Sequence, residues 1–131
     1  MASLAAATVP SRLLAADFTL RIAPANMEIA PRKIVRTIAY NGSVPGPLLR
    51  MKEGQPVTID VFNDTGDAEI VHWHGLQIPS AVDGSMEEGT PMIPGRASAR
   101  YTFTPKPSGT RWYHTHVMAG RNLKRATYTG Q

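Results

Sequence analysis

The sequence of 131 residues contains no cysteine. Such a chain forms no disulfide, offers no thiolate ligand to a metal and carries no thiol nucleophile. It also lacks any apolar run near the roughly twenty residues that a membrane-spanning helix needs, so we expect no membrane span. Nor does a helical period recur over a useful length, which argues against a helical fold.

Positive charge is not concentrated in one segment of the sequence. The formal net charge of +4 is spread along the chain, with one compact basic run, RNLKR, at residues 121–125. We interpret that run as a solvated loop. Because nucleic acid binding needs clustered basic residues, we predict no nucleic acid partner.

The residues that are present predict an all-β protein. Eleven prolines and eleven glycines indicate many turns. Six segments have the alternation or the β-branched content of strands, and they cover residues 17–23, 33–40, 56–63, 68–78, 97–105 and 111–117. A long loop is expected over residues 79–95. Strands at these intervals predict a β-sandwich or Greek-key barrel, formed by one domain over residues 16–131.

Residues 1–15 stand apart from this pattern. They are rich in alanine but lack the charged start and the long apolar core of a complete signal peptide. We interpret them as a flexible N-terminal segment, either the remnant of a signal peptide or a frayed terminus.

All four histidines occur in two pairs, His72 with His74 and His114 with His116. Alternate side chains of a strand project from one face, so the two rings of each pair are expected to point together. If the two strands are neighbours, four imidazoles share one small patch, which is suited to one metal ion or to one wall of a larger cluster. Imidazole binds zinc, copper, iron and nickel, so the residue type leaves the metal open. The alternative is that these histidines have no ligand role, which would require two matched pairs to align by accident.

The motifs around these pairs resemble those of a known family. HWHG and WYHTH, with VDG and IPG between them, are similar to the N-terminal cupredoxin domain of multicopper oxidases. The lead-in YNGSVPGPLLRMKEGQPVTIDVFN and the approach GRASARYTFTPKPSGTRWYHTH extend the resemblance from about Tyr40 to the C-terminus. It implies a cupredoxin-like Greek-key β-sandwich or barrel, copper as the cofactor, and a laccase-type oxidase that reduces O2 to water.

The resemblance also implies a role for individual residues. His72 resembles the ligand of a type 2 copper, whereas His74 and His114 resemble ligands that share one copper of a type 3 pair. His116 resembles a ligand of the other type 3 copper, so that all four belong to a trinuclear cluster. Asp83, in VDG, matches an acidic residue that relays protons beside this cluster, although Asp-Gly by itself is a common turn dipeptide.

Other residues near the motifs are expected to have packing roles. We expect Trp73, Trp112 and Tyr113 to close the dry side of the strands and fix the imidazoles. Met86 and Met92 carry soft thioethers suited to Cu(I). With only two of them in reach, we interpret them as gap-filling or exposed side chains.

The sequence departs from the family pattern in two places. It has no cysteine for a type 1 copper, and it stops where the family continues into a closing strand. We therefore interpret it as the first domain of a longer oxidase, lacking its last strand, that binds copper without oxidase turnover of its own. The neighbouring strand would then be an exposed edge, which favours self-association.

The sequence leaves alternatives to this interpretation. They are a small non-catalytic copper-binding or chaperone-type protein, an enzyme completed by a partner chain, and a scaffold that has lost its metal. The expected partners are O2 and either the remaining cupredoxin domains of the oxidase or other copies of the chain, the latter forming a homo-oligomer. A periplasmic or secreted location is expected, and the reducing substrate is not specified.

Overall fold

The computed structural model describes residues 15–117 and 129–130. The basic run at residues 121–125 and residues 1–14 lie outside the described residues. Apart from one four-residue helix, every regular element of the described residues is a β-strand, which confirms the predicted all-β class. Its elements are, in chain order, β1 (Phe18–Ala30), β2 (Lys33–Tyr40), β3 (Val57–Asn63), β4 (Val71–His74), α1 (Ser80–Asp83), β5 (Ser98–Phe103), β6 (Trp112–Thr115) and β7 (Thr129–Gly130).

The strands form two sheets that pack face to face. One has four strands in the order β2-β1-β3-β5, and the other has three in the order β4-β6-β7. All pairs are antiparallel except β1 with β3. The smaller sheet carries His72, His74 and His114, and His116 follows the end of β6. Within the described part of the chain, no helix is both long and apolar enough to cross a membrane.

The core lies between the sheets and follows the predicted alternation. Every second residue of β3 and of the end of β5 is buried, and the apolar ones are Val57, Ile59, Val61, Tyr101 and Phe103. Trp73 of β4 meets them from the other sheet, with its ring centroid 5.6 Å from that of Tyr101 and 5.2 Å from that of Phe103. Aromatic packing of this kind buries a large apolar area and fixes how the histidine-bearing sheet sits on the larger one.

Strand β1 is longer than predicted. The sequence pattern ends at residue 23, whereas the strand continues to Ala30. Ile22 is the last residue paired with β3, and beyond it β1 pairs only with β2 among the described strands. Pro24 cannot donate a ladder hydrogen bond. It is tolerated because β1 has a partner strand on only one side in this part of the sheet, so a missing N–H on the other side breaks no hydrogen bond between strands.

Strand β4 is shorter than predicted. The regular strand covers Val71–His74 rather than residues 68–78. Gly75 ends it with a left-handed φ of 84°, and the N–H of Leu76 turns back to the carbonyl of Trp73. The short strand therefore carries little beyond the first histidine pair.

Candidate metal centre

Three of the four histidines lie on neighbouring antiparallel strands, and His116 follows directly after β6. His72 is opposite His114, and His74 is opposite Trp112. Directly opposite residues share a face of the pair, so these side chains project to one side. The ring of His72 lies 5.4 Å, 5.3 Å and 4.9 Å, between centroids, from the rings of His74, His114 and His116. The structure thus brings all four predicted histidines together.

Three of the four histidines have the spacing of ligands of a metal. Each of His72, His74 and His114 offers a ring nitrogen that lies within 4.8 Å of the others. Nδ1 of His74 and Nε2 of His114 are only 3.2 Å apart. Two nitrogens bound to one ion at about 2.0–2.1 Å are separated by about 3–3.5 Å, so this pair already has the required distance.

Backbone carbonyls orient two of the rings. Nδ1 of His72 donates to the carbonyl of Asp83 at 2.9 Å, and Nδ1 of His114 donates to the carbonyl of Thr115 at 2.8 Å. A carbonyl oxygen can only accept, so the proton of each ring is on Nδ1 and the lone pair is on Nε2. Hydrogen bonds of this kind are the usual support of metal-binding histidines. This donor set fits a metal that prefers imidazole, copper among them.

The cluster is buried on its strand side and open on the other. His114 is buried, whereas His74 and His116 are exposed. Burial lowers the pKa of His114, the neighbouring imidazoles lower it further, and the bond to the Thr115 carbonyl opposes both. The neutral form is therefore favoured at neutral pH. Since a metal binds the neutral imidazole, a proton competes little at this ring.

Asp83 reaches the cluster from the loop after β4. It is the last residue of α1, and Gly84 follows it with a left-handed φ of 92°. A Cβ at Gly84 would overlap the backbone of Val71, so α1 packs directly on β4. Besides its carbonyl bond to His72, Asp83 places carboxylate Oδ2 3.3 Å from Nδ1 of that ring. The residue therefore forms a turn and also touches the site.

Thr90 was not singled out from the sequence, yet it holds this turn in place. Its buried hydroxyl accepts from the N–H of Gly84 at 2.9 Å and donates to the carbonyl of Ser80 at 2.5 Å. One side chain thus ties both ends of α1. No sequence signal distinguishes this threonine from the others of the chain.

Arg111 is a second supporting residue that the sequence did not reveal. Its guanidinium donates to the carbonyls of Gly75, Thr110 and Ser108 at 3.0, 2.8 and 2.9 Å. The bond to Gly75 joins the end of β4 to the turn that precedes β6. It therefore helps to hold the two histidine-bearing strands in register.

The packing roles expected for the aromatic residues are confirmed for two of three. Trp73 and Tyr113 are buried in the core. The expectation that Trp112 closes the dry side is wrong, because its side chain is 41% exposed and lies on the histidine face. Its ring stacks on that of His114, which agrees with the expected role in fixing the imidazoles. Its position opposite His74 and two residues before His114 puts it on that face. Trp112 is thus part of the surroundings of the cluster rather than of the core.

The loop that follows α1 brings negative charge towards the open side. Hydrogen bonds from its own backbone N–H and from the Ser85 hydroxyl lower the pKa of Glu87, and the charge of His116 contributes least. An ionised carboxylate is thus within electrostatic reach of His116. Met86 is exposed and Met92 is half-buried, which agrees with their interpretation as exposed or gap-filling side chains.

Fold and site together define a class. An all-β sandwich of this topology, with a cluster of histidines on one sheet, is of the cupredoxin-like type. The family model described as multicopper oxidase matches residues 21–131. The chain belongs to the multicopper oxidase family, which supports an oxidoreductase domain with copper as its cofactor.

Individual relatives agree with this membership. Copper resistance protein A of Pseudomonas syringae pv. tomato is 38% identical over 115 residues, which are 81% of this chain and 17% of that protein. Multicopper oxidase MmcO of Mycobacterium tuberculosis is 36% identical over 99 residues, 76% of this chain and 19% of that protein. The crystal structure of a blue copper oxidase from Nitrosomonas europaea matches with a TM-score of 0.75 and 32% identity, covering 86% of this chain and 36% of that one.

The chain spans about a fifth of the length of the curated relatives it matches. The multicopper oxidase of Pseudomonas parafulva, with a TM-score of 0.77 and 28% identity, is covered to 28% of its length. The matched part is thus one portion of the longer oxidases, which agrees with the expectation of further domains as partners.

Proposed function

We propose that this chain supplies four histidine ligands to the trinuclear copper cluster of a multicopper oxidase. In this proposal His72 binds the type 2 copper, His74 and His114 share one type 3 copper, and His116 binds the other. The observation that carries it is the convergence of three ring nitrogens within 4.8 Å, with two of them 3.2 Å apart.

One distance supports the pairing of His74 with His114, whereas the assignment of His72 and His116 follows the resemblance to multicopper oxidases. The facing nitrogens of His74 and His114 have the separation expected for ligands of one ion. The ring of His116 lies 5.8 Å from that of His114 and 4.9 Å from that of His72, between centroids, and its nitrogens are not among the three that converge within 4.8 Å. A set of four imidazoles spread over one patch suits several ions better than one, because four histidines on a single ion are uncommon.

Copper held by these histidines would supply the reduction of O2 to water, for which the electrons would come from a type 1 copper. The chain contains no cysteine for a type 1 site, so we propose that the electrons come from the remaining cupredoxin domains of the oxidase or from a partner chain. Here the chain's own residues bind and orient the metals. The carbonyls of Asp83 and Thr115 hold the rings of His72 and His114 with Nε2 available.

Asp83 has a further role in this proposal, as a proton relay. Its carboxylate is half-buried beside His72. With copper held by the histidines, a carboxylate in this position would be placed to relay protons to the site. Replacing it by asparagine keeps the shape of the side chain and removes its acid–base group. In the complete oxidase we expect Asp83→Asn to slow turnover while copper content stays normal, and normal turnover would contradict the role.

Copper loading of the chain tests the ligand assignment. The purified protein should bind Cu(II) in equilibrium dialysis and show nitrogen ligation by electron paramagnetic resonance. His114→Ala should weaken binding about 10-fold or more, since it removes a ligand of the closest pair. Gln77→Ala, at an exposed position three residues after His74, is the control. Full copper affinity in His114→Ala would refute the assignment.

An activity assay separates the proposal from a self-sufficient enzyme. Without a copper–thiolate bond, the loaded chain should lack the intense blue colour of a type 1 site. It should not turn over a phenolic substrate by itself. Appreciable turnover by the chain alone would contradict its proposed role as one part of an oxidase. A periplasmic or secreted location belongs to the same proposal, and fractionation of cells that express the natural protein would test it.

A further inference from the structure

Thr115 links the two histidines of the second pair. Its carbonyl accepts the Nδ1 proton of His114 at 2.8 Å. Its hydroxyl accepts from the backbone N–H of Val117 at 3.2 Å. This bond spans His116 and restrains the backbone on both sides of that residue. One residue therefore fixes a ring on one side and the backbone on the other.

A buried acid controls the direction of that hydroxyl. Glu69 is 1% exposed, and its Oε2 accepts the hydroxyl proton of Thr115 at 3.1 Å. Thr115 lies opposite Val71, a buried residue of β4, so this bond is on the core side of the strand pair. The histidines occupy the other side. The hydroxyl has one proton, so giving it to Glu69 leaves the oxygen lone pairs for Val117.

The backbone of Glu69 is itself held firmly. Its N–H donates to the carbonyl of Ile93 at 2.9 Å, and its carbonyl accepts from the N–H of Ile93 at 2.7 Å. This isolated bridge sets where the carboxylate lies relative to β6. The carboxylate thus reaches Thr115 from a fixed position on the neighbouring segment.

We propose that Glu69 and Thr115 are positioning residues whose hydrogen bond, on the core side of the β4–β6 pair, holds His114 and His116 in the arrangement that binds copper. The inference rests on the proposed function of the histidines and adds the residues that preorganise them. A buried carboxylate costs free energy, and an apolar pair in its place is often no less stable. A role in stability alone therefore gives no reason for an acid here, whereas orientation of ligands does, because supporting hydrogen bonds raise metal affinity.

Two pairs of variants test this. Thr115→Val and Glu69→Leu remove the bond, whereas Thr115→Ser and Glu69→Gln retain a hydroxyl and an oxygen acceptor. Thr115→Val and Glu69→Leu should weaken Cu(II) binding about 10- to 100-fold. The Cu(II) affinity of Thr115→Ser and Glu69→Gln should stay within about 2-fold of that of the parent. The double variant Glu69→Leu/Thr115→Val should be no weaker than either single one, since residues of one hydrogen-bonded pair are not additive.

The matched control is Thr58→Val, which removes a hydroxyl contact to Thr102 between β3 and β5, away from the histidines. It should leave copper affinity unchanged. If it weakens binding as much as Thr115→Val does, the effect is general destabilisation and the inference is overturned. Wild-type affinity in both bond-removing variants overturns it as well. Urea unfolding of the metal-free proteins shows which variants fold. If a single variant does not fold, the double variant Glu69→Leu/Thr115→Val takes its place in the binding test, because its two apolar side chains can pack on each other.

A metal-free measurement separates this inference from the proposed function. Nitrogen NMR of the imidazoles should show His114 protonated on Nδ1 and a single state of His116 in the parent. In Thr115→Val and Glu69→Leu, the His116 signals should shift or broaden. If the parent binds no copper, the proposed function fails, but these spectra still decide whether the pair positions the rings. Unchanged spectra in both variants would refute the positioning role.

Discussion

The indole of Trp112 stacks on the imidazole of His114, with ring centroids 4.1 Å apart and 26° between the planes. The same indole lies 4.7 Å from the ring of His74. Trp112 thus covers the two histidines whose nitrogens are closest together. Trp73, the other tryptophan, is 2% exposed and packs in the core. The protein therefore has one tryptophan that reports on the site and one that reports on the fold.

This difference predicts a selective fluorescence response to copper. A half-exposed indole emits at longer wavelength than a buried one, and Cu(II) quenches emission from rings close to it. We expect Cu(II) to quench the long-wavelength component, and Trp112→Phe to remove both that component and most of the quenching. The measurement is an emission spectrum during titration with Cu(II).

The paired control for that titration is Trp73→Phe. It should keep the quenched component, because Trp112 is unchanged, while lowering the free energy of unfolding by about 1–3 kcal/mol through lost core packing. Equal quenching in Trp112→Phe and the parent would contradict copper binding beside this ring.

Gly84 is expected to tolerate no side chain. It has a left-handed φ of 92°, and an added Cβ would overlap the backbone of Val71 on β4. Gly84→Ala should lower the free energy of unfolding by about 3 kcal/mol or more, since backbone on both sides must move. Gly54→Ala is the control, because Gly54 has a φ of 77° but nothing within 4 Å of an added Cβ. It should cost only the conformational penalty, about 1–2 kcal/mol. Similar losses in the two variants, measured by urea unfolding, would contradict the close packing of α1 on β4.

The Asp60–Arg100 pair predicts a pH-dependent stability. Arg100 donates to both carboxylate oxygens of Asp60 at 2.6 and 2.7 Å across β3 and β5. This hydrogen bonding lowers the pKa of Asp60 below its ordinary value of 3.8. A lowered pKa in the folded protein contributes stability above that ordinary value, and the contribution is lost as the pH falls through the folded value.

Asp60→Asn should therefore be less stable than the parent at pH 7, and the two should converge below about pH 4. Urea unfolding at several pH values between 7 and 3 measures this. The double variant Asp60→Asn/Arg100→Gln should lose little more than the single one, because the pair is already broken. A difference that stays constant over the whole range would show that the ion pair is not its source.

The clustering of the histidines was predictable in part. The two-residue period places His72 with His74 on one face, and the structure has them there. That β4 and β6 are neighbours does not follow from this period; the resemblance to multicopper oxidases suggested it. The same two-residue period also bears on Trp112. Trp112 lies two residues before His114, so both side chains are on the same face of β6 and Trp112 is not on the core face.

Glu69 could also have been found from its parity. It lies two and four residues before Val71 and Trp73, both buried, so an acid occupies a core-facing position. Such a residue needs a buried partner, which here is Thr115. Arg111 offers no comparable signal, since its partners are backbone carbonyls whose positions depend on the fold of the loop. Side-chain contacts with the backbone, such as those of Arg111, could therefore not be predicted from the sequence, whereas the contact between two side chains left a signal in the strand pattern.

Asn63 joins the two loops that flank β4 and is expected to be the most costly polar residue to replace. It is 1% exposed, and its amide nitrogen donates to the carbonyls of Asp67, Ile93 and Pro94 at 2.8, 3.1 and 3.0 Å. Its carbonyl oxygen accepts from the N–H and the hydroxyl of Thr65. Asn63→Ala leaves these buried groups without their partner, so we expect a loss of about 2–4 kcal/mol in the free energy of unfolding.

Asn63→Asp should be at least as damaging at neutral pH, because a carboxylate would face three carbonyl oxygens. Asn26→Ala, at an exposed position of β1, should stay within about 0.5 kcal/mol. Urea unfolding of the three variants decides the matter, and a stable Asn63→Ala would mean that the two loops hold their positions without this amide.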